Sequence, residues 1–378
     1  MKRILTIIGA RPQIIKAAAV SRAIRRHFRG QLEEYLLHTG QHYDDKMSAV
    51  FFEEMEIPMP DFHLSAGGKS HAAQTAEMLE GIEKILLEKK FDGVLVYGDT
   101  NSTLAGALAA AKIHVPVVHV EAGLRSFNKS MPEEINRITC DHCSTLLFSP
   151  TNTGIENLRR EGFPIEAAGP YDRDRPGVFH CGDVMYDNSL YFSEVAERKT
   201  KLPFEAKDNG FVLVTIHRPY NTDELSRLTA LLEDLLQFGA DSKLDLVIPL
   251  HPRTRVKLDA GNPELLARMQ AAPHVHLTEP VSFLEMIYLE KRARLIVTDS
   301  GGVQKEAYFF KKPCVVVRTE TEWVEIVETG CARLAFETGE PLQSALHAAL
   351  KVKSDDYPPI FGDGTAAEFI CQKMAEFL

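Results

Sequence analysis

Short apolar runs alternate along this chain with turn clusters and with longer stretches whose apolar residues recur every three or four positions. Arg3 to Ile8 reads as a strand, broken by Gly9-Ala10-Arg11-Pro12. A helix follows, with Ile14, Ile15, Ala18, Val20 and Ile24 on its apolar side and Lys16, Arg22, Arg25 and Arg26 outside. Further strands are predicted at Glu34–His38, Val94–Tyr97, Val115–Val120 and Thr145–Phe148, separated by helices over His71–Lys89 and Leu104–Ile113 and one opened by Pro132. Gly162 to Phe179, interrupted by Pro164, Pro170 and Pro176, has no period and reads as a loop or the approach to a domain boundary. After a helix over Val184–Arg198 the pattern restarts, with strands at Phe211–Thr215, Leu244–Ile248, Val275–Leu277, Leu295–Thr298 and Pro313–Val317 and helices among them. Strand, turn and helix in repetition specify parallel sheets covered by helices on both faces. The expectation is an α/β protein of two Rossmann-like doubly wound domains, residues 1–180 and 181–364, facing a central cleft. A closing helix over 365–378 has the option of packing on the first domain.

Length agrees with two domains, since 378 residues exceed what one core normally serves. A net charge of -10 argues against nucleic-acid and anionic-membrane partners. No apolar run has transmembrane length, and Met1 to Gly9 is too short for a signal segment, so a cytoplasmic protein is expected. The six cysteines are scattered, as expected for reduced thiols. Cys140, His142 and Cys143 cluster, but a structural zinc site would want a second ligand pair, and no metal is expected.

Residues that follow the strands carry the candidate chemistry, because such positions converge at the carboxyl edge of a parallel sheet. In the second half, Asp299-Ser300-Gly301-Gly302 links a strand to a helix. Two glycines admit a ligand to the main chain, Ser300 adds a hydroxyl, and a helix N-terminus favours an anion. Glu306, about one and a half turns into that helix, suits a ribose diol. A serine N-cap in a plain turn would account for the same residues. His217, Arg218, His251, Arg253, Arg318 and Glu322 end other strands of that half. The first half offers Arg11, Lys16, Gln41, His42, Asp99, Glu121, Arg125, Glu133, Glu134 and Arg137. Several carboxylates sharing a cleft shift one another's pKa values, so that one serves as acid and another as base; Glu133 and Glu134 would equally serve as helix-terminus charges.

Gly9-Ala10-Arg11-Pro12, Gly98-Asp99-Thr100, His119-Val120-Glu121-Ala122-Gly123-Leu124-Arg125, Pro132-Glu133-Glu134-Ile135-Asn136-Arg137, His217-Arg218 and Thr298 through Glu306 resemble, in order and spacing, the motifs of the non-hydrolysing UDP-N-acetylglucosamine 2-epimerases. Gly362-Asp363-Gly364 extends the resemblance to the end of the chain. It implies a GT-B-like fold, a UDP-sugar substrate, a homodimer, and neither metal nor nicotinamide. The implied chemistry removes UDP by anti elimination to a 2-acetamidoglucal and adds it back with a proton on the opposite face. Carried over residue by residue, Asp99, Glu121 and Glu133 are acid/base candidates, joined by His217 as a catalytic candidate. Arg11, Arg137 and His217 face the pyrophosphate, with Lys16 near the site. Ser300, Gly301 and Gly302 hold the β-phosphate and Glu306 the ribose; Phe283 and Arg318 complete the nucleotide-binding candidates.

Two stretches depart from the commonest motif: His217-Arg218-Pro219-Tyr220-Asn221 in place of His-Arg-Arg-Glu-Asn, and Thr321-Glu322-Trp323-Val324-Glu325 in place of Thr-Glu-Arg-Pro-Glu. Both resemble relatives that epimerise UDP-2,3-diacetamido-2,3-dideoxy-glucuronic acid. Lys69-Ser70 does not match the arginine-bearing stretch of the family's allosteric site, for which Gln41 and His42 are possible contributors. A glycosyltransferase of the same architecture and a non-catalytic UDP-sugar sensor are the competing readings.

Overall fold

The computed structural model describes residues 1–41, 52–336 and 341–378; His42 lies outside them. The described strands fall in two sheets. The first contains β1 (Lys2–Ile8), β2 (Leu32–His38), β3 (Phe62–His63), β4 (Gly93–Tyr97), β5 (Val117–Val120), β6 (Leu146–Ser149) and β7 (Gly177–His180), in the order β3-β2-β1-β4-β5-β6-β7. The second contains β8 (Phe211–Thr215), β9 (Asp245–Pro249), β10 (Val275–Thr278), β11 (Leu295–Thr298), β12 (Cys314–Val316) and β13 (Ala332–Leu334), in the order β10-β9-β8-β11-β12-β13. Neighbouring strands pair parallel in both sheets. Their apolar runs have no polar alternation because both faces are buried: every residue of β4, β5, β8 and β11 is inaccessible or nearly so.

Each sheet winds outward in both directions from its middle. The order reverses between β1 and β4 in the first sheet and between β8 and β11 in the second. Chain leaving the carboxyl ends of two strands at such a point diverges to opposite faces and opens a crevice suited to a ligand. Gly9 to Arg11 and Gly98-Asp99 leave β1 and β4; His217-Arg218 and Asp299 to Gly302 leave β8 and β11. The candidate residues therefore stand at the two places where this topology binds ligands.

The chain divides into two compact units, Met1–Asn188 with Pro359–Leu378, and Ser189–Pro358. The first unit runs past residue 180 because the start of the helix Val184–Lys199 stays tied to it. Asn188 donates to the Ile15 carbonyl at 2.5 Å and accepts from Arg22 at 2.9 Å, and the Asp183 amide donates to the Phe361 carbonyl at 3.0 Å. The helix Ala366–Phe377 belongs to this unit too. Its opening amides, Ala366 and Ala367, donate to Asp187 at 3.2 and 2.7 Å, and Ile370, Cys371 and Met374 are buried. Met78, Ile82, Leu86 and Val96 lie in the first core, Leu228, Leu232, Phe238, Val297 and Leu346 in the second.

The aperiodic segment ends in an unforeseen strand, β7, which adds to the edge of the first sheet beside β6. Two helices, Pro252–Gly261 and Pro263–Ala271, also go beyond the sequence expectation; each begins with proline after a side-chain cap, His251 and Asn262 respectively.

Candidate functional site

The first unit presents its candidates from three neighbouring turns. Gln13, buried in the helix Arg11–Ala23, accepts from the amides of Gly9 at 2.9 Å and Ala10 at 3.2 Å and donates to the Tyr97 carbonyl at 3.0 Å. It staples the turn after β1 to the end of β4. Gly9 packs against Thr39 and Ser102 so closely that a Cβ would collide with both hydroxyls, which explains glycine at that turn.

Asp99 then stands beyond β4, where Arg137 reaches its carboxylate at 2.5 Å and Asn136 donates to its carbonyl at 2.9 Å. Glu121 stands beyond β5 in a left-handed conformation, φ 75°, and its carboxylate pairs with Lys16. The structure thus brings Asp99, Glu121, Lys16 and Arg137 to adjoining strand ends, each carboxylate beside one cation. A small cavity lined by Lys16, Val120, Glu121, Pro150, Gly182 and Asp183 opens there.

Behind these turns lies a buried charged network of which sequence reasoning singled out Arg125 but not the pairing of His119 with Asp141. His119 is wholly inaccessible; its Nδ1 is 2.7 Å from Asp141 and its Nε2 2.8 Å from the Gly98 carbonyl. A carboxylate and a carbonyl only accept, so both ring nitrogens donate and the ring is an imidazolium. Burial opposes that charge, but Cys140 and Asp141 override it and hold the His119 pKa well above its usual value. Asp141 accepts as well from the Gly123 amide at 3.1 Å and from Arg125 at 2.7 Å, and Arg125 forks onto Glu161 with two bonds of 2.7 Å. Burial would raise the Asp141 pKa, yet His119 and Arg125 hold it below the usual value.

Glu133 and Glu134 part company. Glu133 is exposed in the first turn of the helix Pro132–Cys143. Glu134 is buried, accepts from the amides of Ser126 and Phe127 at 2.9 Å each, and meets Arg137 at 3.0 Å. Despite burial, those bonds keep its pKa low. Arg11 is exposed at the head of its helix. Gln41 accepts from the Ser102 amide and hydroxyl at 3.0 and 2.7 Å.

In the second unit, buried Asp299 is the anchor. It accepts from the amides of His217 at 3.0 Å and Arg218 at 2.9 Å and from Asn221 at 3.0 Å, tying the turn after β8 to the turn after β11. The His217 ring stacks on His251 at 5.3 Å between centroids. Burial first, then His251 and Arg218, lower the His217 pKa against the pull of Asp299, so the ring is neutral at pH 7.

The helix Gly301–Phe309 starts without a side-chain cap: Ser300 makes no capping hydrogen bond, and the capping alternative is not realised. A Cβ on Gly302 would meet nothing nearer than 3.9 Å. Nothing in the chain itself requires glycine there. Arg318 pairs with Glu322 at 2.9 Å, whose oxygens lie 3.5 Å from where a Cβ on Gly301 would stand. Glu306 is half-buried in this helix beside inaccessible Glu290, whose carboxyl is pushed well up by burial and then by Glu306. Phe283 opens the helix Phe283–Arg292 and packs edge-on against Phe192 at 5.4 Å. Trp323 covers the Lys305 ammonium at 4.2 Å.

Among the described residues no group of three or more His, Cys, Asp or Glu side chains could hold a metal ion, and no helix is long and apolar enough to cross a membrane.

The family model described as UDP-N-acetylglucosamine 2-epimerase matches residues 23–375. The chain belongs to that family. It is 46% identical over 374 residues to the UDP-2,3-diacetamido-2,3-dideoxy-D-glucuronate 2-epimerase of Pseudomonas aeruginosa, covering 99% of each chain. It is 39% identical over 368 residues to the UDP-N-acetylglucosamine 2-epimerase of Methanocaldococcus jannaschii, covering 96% of each. The crystal structure of the M. jannaschii epimerase in complex with UDP-GlcNAc and UDP superposes with a TM-score of 0.78 at 38% identity, covering 99% of each chain. The epimerase family's motifs coincide here with the two crevices of the fold.

Proposed function

We infer that this protein is an isomerase that inverts C2 of a UDP-2-acetamido sugar without net hydrolysis. The observation that carries this reading is the pair Asp99 and Glu121, held at the ends of neighbouring strands with a cation on each. A transferase needs a nucleotide cradle; abstraction of a carbon-bound proton needs positioned carboxylates as well.

The steps balance without redox change. A carboxylate takes the C2 proton, the C–H electrons form the C1–C2 double bond, and the C1–O bond breaks to release UDP. A diphosphate oxygen then attacks C1 of the glycal while an acid delivers a proton to the other face of C2. Asp99 and Glu121 are the residues for these proton transfers, with Glu133 the third candidate; Arg11, Lys16, Arg137 and neutral His217 serve the leaving diphosphate. Ser300, Gly301 and Gly302 hold its β-phosphate against the helix N-terminus, and Glu306 binds the ribose hydroxyls. Phe283 and Arg318 complete the nucleotide contacts. Open space at Gly302 supports this assignment, since a side chain there would occupy the phosphate's approach rather than collide with the protein.

The sugar is UDP-N-acetylglucosamine or its diacetamido uronic acid analogue; the identity to the P. aeruginosa epimerase and the Thr321–Glu325 departure favour testing the second with equal weight. Incubation with each sugar in deuterated water is expected to place deuterium at C2 of one or both. No incorporation with either rules the reading out. Transfer of sugar to an acceptor without exchange would indicate a glycosyltransferase, and tight UDP binding without turnover a sensor. The family resemblance also supports a cytoplasmic homodimer, which light scattering of the purified chain tests for its oligomeric part.

A further inference from the structure

The side-chain bonds of the buried pair His119 and Asp141 run to turns and not along strand ladders. His119 sits in β5, and its ring crosses to the turn after β4, where it donates to the carbonyl of Gly98 at 2.8 Å. Gly98 has φ 62°, and Asp99 follows it directly. Asp141, on the helix Pro132–Cys143, receives the other ring N–H at 2.7 Å and the amide of Gly123 at 3.1 Å. Gly123, with φ 81°, lies two residues beyond Glu121, whose own φ is 75°. One side of the network therefore grips the turn bearing Asp99 and the other the turn bearing Glu121.

Both turns hold residues in conformations that cost energy for anything but glycine, and such conformations persist where surrounding bonds over-determine them. The Glu121 and Ala122 amides both donate to the Phe148 carbonyl at 3.0 Å, and Asn157 donates to the Gly123 carbonyl at 3.0 Å. A Cβ on Gly123 would strike the carbonyl of Gly154. Every polar atom of the His119 ring and the Asp141 carboxylate is engaged, which is the condition under which buried charge is retained without an unsatisfied partner.

We propose that His119 is a positioning residue for the epimerisation: a doubly donating imidazolium, clamped by Asp141, that fixes the spacing of the Asp99 and Glu121 carboxylates. The charged groups that face it are Asp141 on the adjoining helix, with Arg125 and Glu161 behind, and the Cys140 thiol lies alongside. A neutral ring would have to leave one of the two oxygens, that of Asp141 or that of Gly98, without its donor. The inference rests on the reaction assigned above.

Two measurements on the full chain test it. In a histidine-15N-labelled sample, with the His119 signal identified by its loss in His119→Gln, both ring nitrogens are expected to keep the protonated imidazolium pattern from pH 6 to pH 9. A neutral tautomer anywhere in that range overturns the proposal, whatever the activity. In Asp141→Asn, deuterium exchange at C2 is expected to fall about 100-fold in kcat, as for a misplaced catalytic group, with UDP affinity within about twofold of the parent. Unchanged exchange in the folded variant, or an equal loss of UDP affinity, overturns it. Should Asp141→Asn fail to fold, the spectrum of the unaltered protein decides. An imidazolium in a chain that never exchanges C2 hydrogen would sink the reaction and leave the charge assignment standing.

Discussion

His119 and His217 each end up beside a buried aspartate at the carboxyl edge of a parallel sheet, yet one is charged and the other neutral. Asp141 gives His119 a 2.7 Å contact, and the far side of the ring meets a carbonyl, so both nitrogens must donate. Three N–H groups occupy the oxygens of Asp299, the His217 ring stands off at 3.4 Å, a second imidazole stacks on it, and the Arg218 charge opposes protonation. The same residue pair gives a fixed cation in the first unit and a neutral ring in the second. Both carboxylates serve other donors, so the outcome follows from the closer contact at His119, from the carbonyl that meets its far nitrogen, and from burial, which is left to dominate at His217.

The comparison extends to the two crevices. Charges in the first are matched in place, Lys16 with Glu121 and Arg137 with Asp99, at the carboxylates proposed to move protons. The second presents an uncapped helix end, a side-chain-free approach at Gly302 and a neutral ring, at the turns proposed to hold the diphosphate. This division yields its sharpest prediction at Asp99 and Glu121. Changing either to its amide is expected to cut C2 deuterium exchange about 1000-fold, while calorimetry shows UDP binding nearly intact; loss of UDP binding would erase the division.

Glycines sharpen it next. Gly123→Ala places a Cβ against the Gly154 carbonyl at φ 81° and is expected to destabilise the chain by about 2 kcal/mol, seen as a lower urea midpoint. Gly302→Ala meets open space, so the same midpoint should not move, while UDP affinity drops about tenfold as the phosphate loses its close approach. If both variants lost stability, Gly302 would be structural and the cradle reading wrong.

The smallest effect concerns pH. Folding lowers the His217 pKa below its ordinary 6.5, so the unfolded chain binds a proton the folded one refuses. The stabilising contribution is present above about 6.5 and lost as pH falls beneath it. His217→Asn should therefore lose less stability than the parent between pH 8 and pH 5 in paired urea titrations. His119→Gln is expected to do the opposite: the folded His119 stays charged while the unfolded ring titrates near 6.5, so its contribution grows as pH falls from 8 to 5 and its removal enlarges the loss.

Much of this molecule was legible in its sequence where information is local. Continuous runs such as Val94–Tyr97 and Leu295–Thr298 marked buried strands, and the residues after them marked the crevices. Elements too short to show a period were not legible: β3 has two residues and β13 three, and β7 begins with a glycine in a proline-rich segment. Individual roles at the site failed for another reason. Asp299 read as a turn residue and is a buried anchor for three donors, and His119 read only as a motif residue, with nothing to pair it with Asp141 although the two join two turns. Glu133 and Glu134 are adjacent and chemically alike; only the path of the loop 126–127 shows that the second is consumed by its amides. Such roles are set by the path of loops and by partners across the fold, and no spacing rule encodes them.

The helix Ala366–Phe377 has a bearing on how the protein comes into being. It fills the first unit, but a ribosome produces it only after all of Ser189–Pro358. The earlier residues must wait with Val20 and the Asp187 carboxylate uncovered while a whole second body is synthesised and folds. Completion of the oldest part of the chain is thus the newest event in its biogenesis, and nascent chains arrested before Pro359 should be protease-sensitive in their first 188 residues while the later body resists.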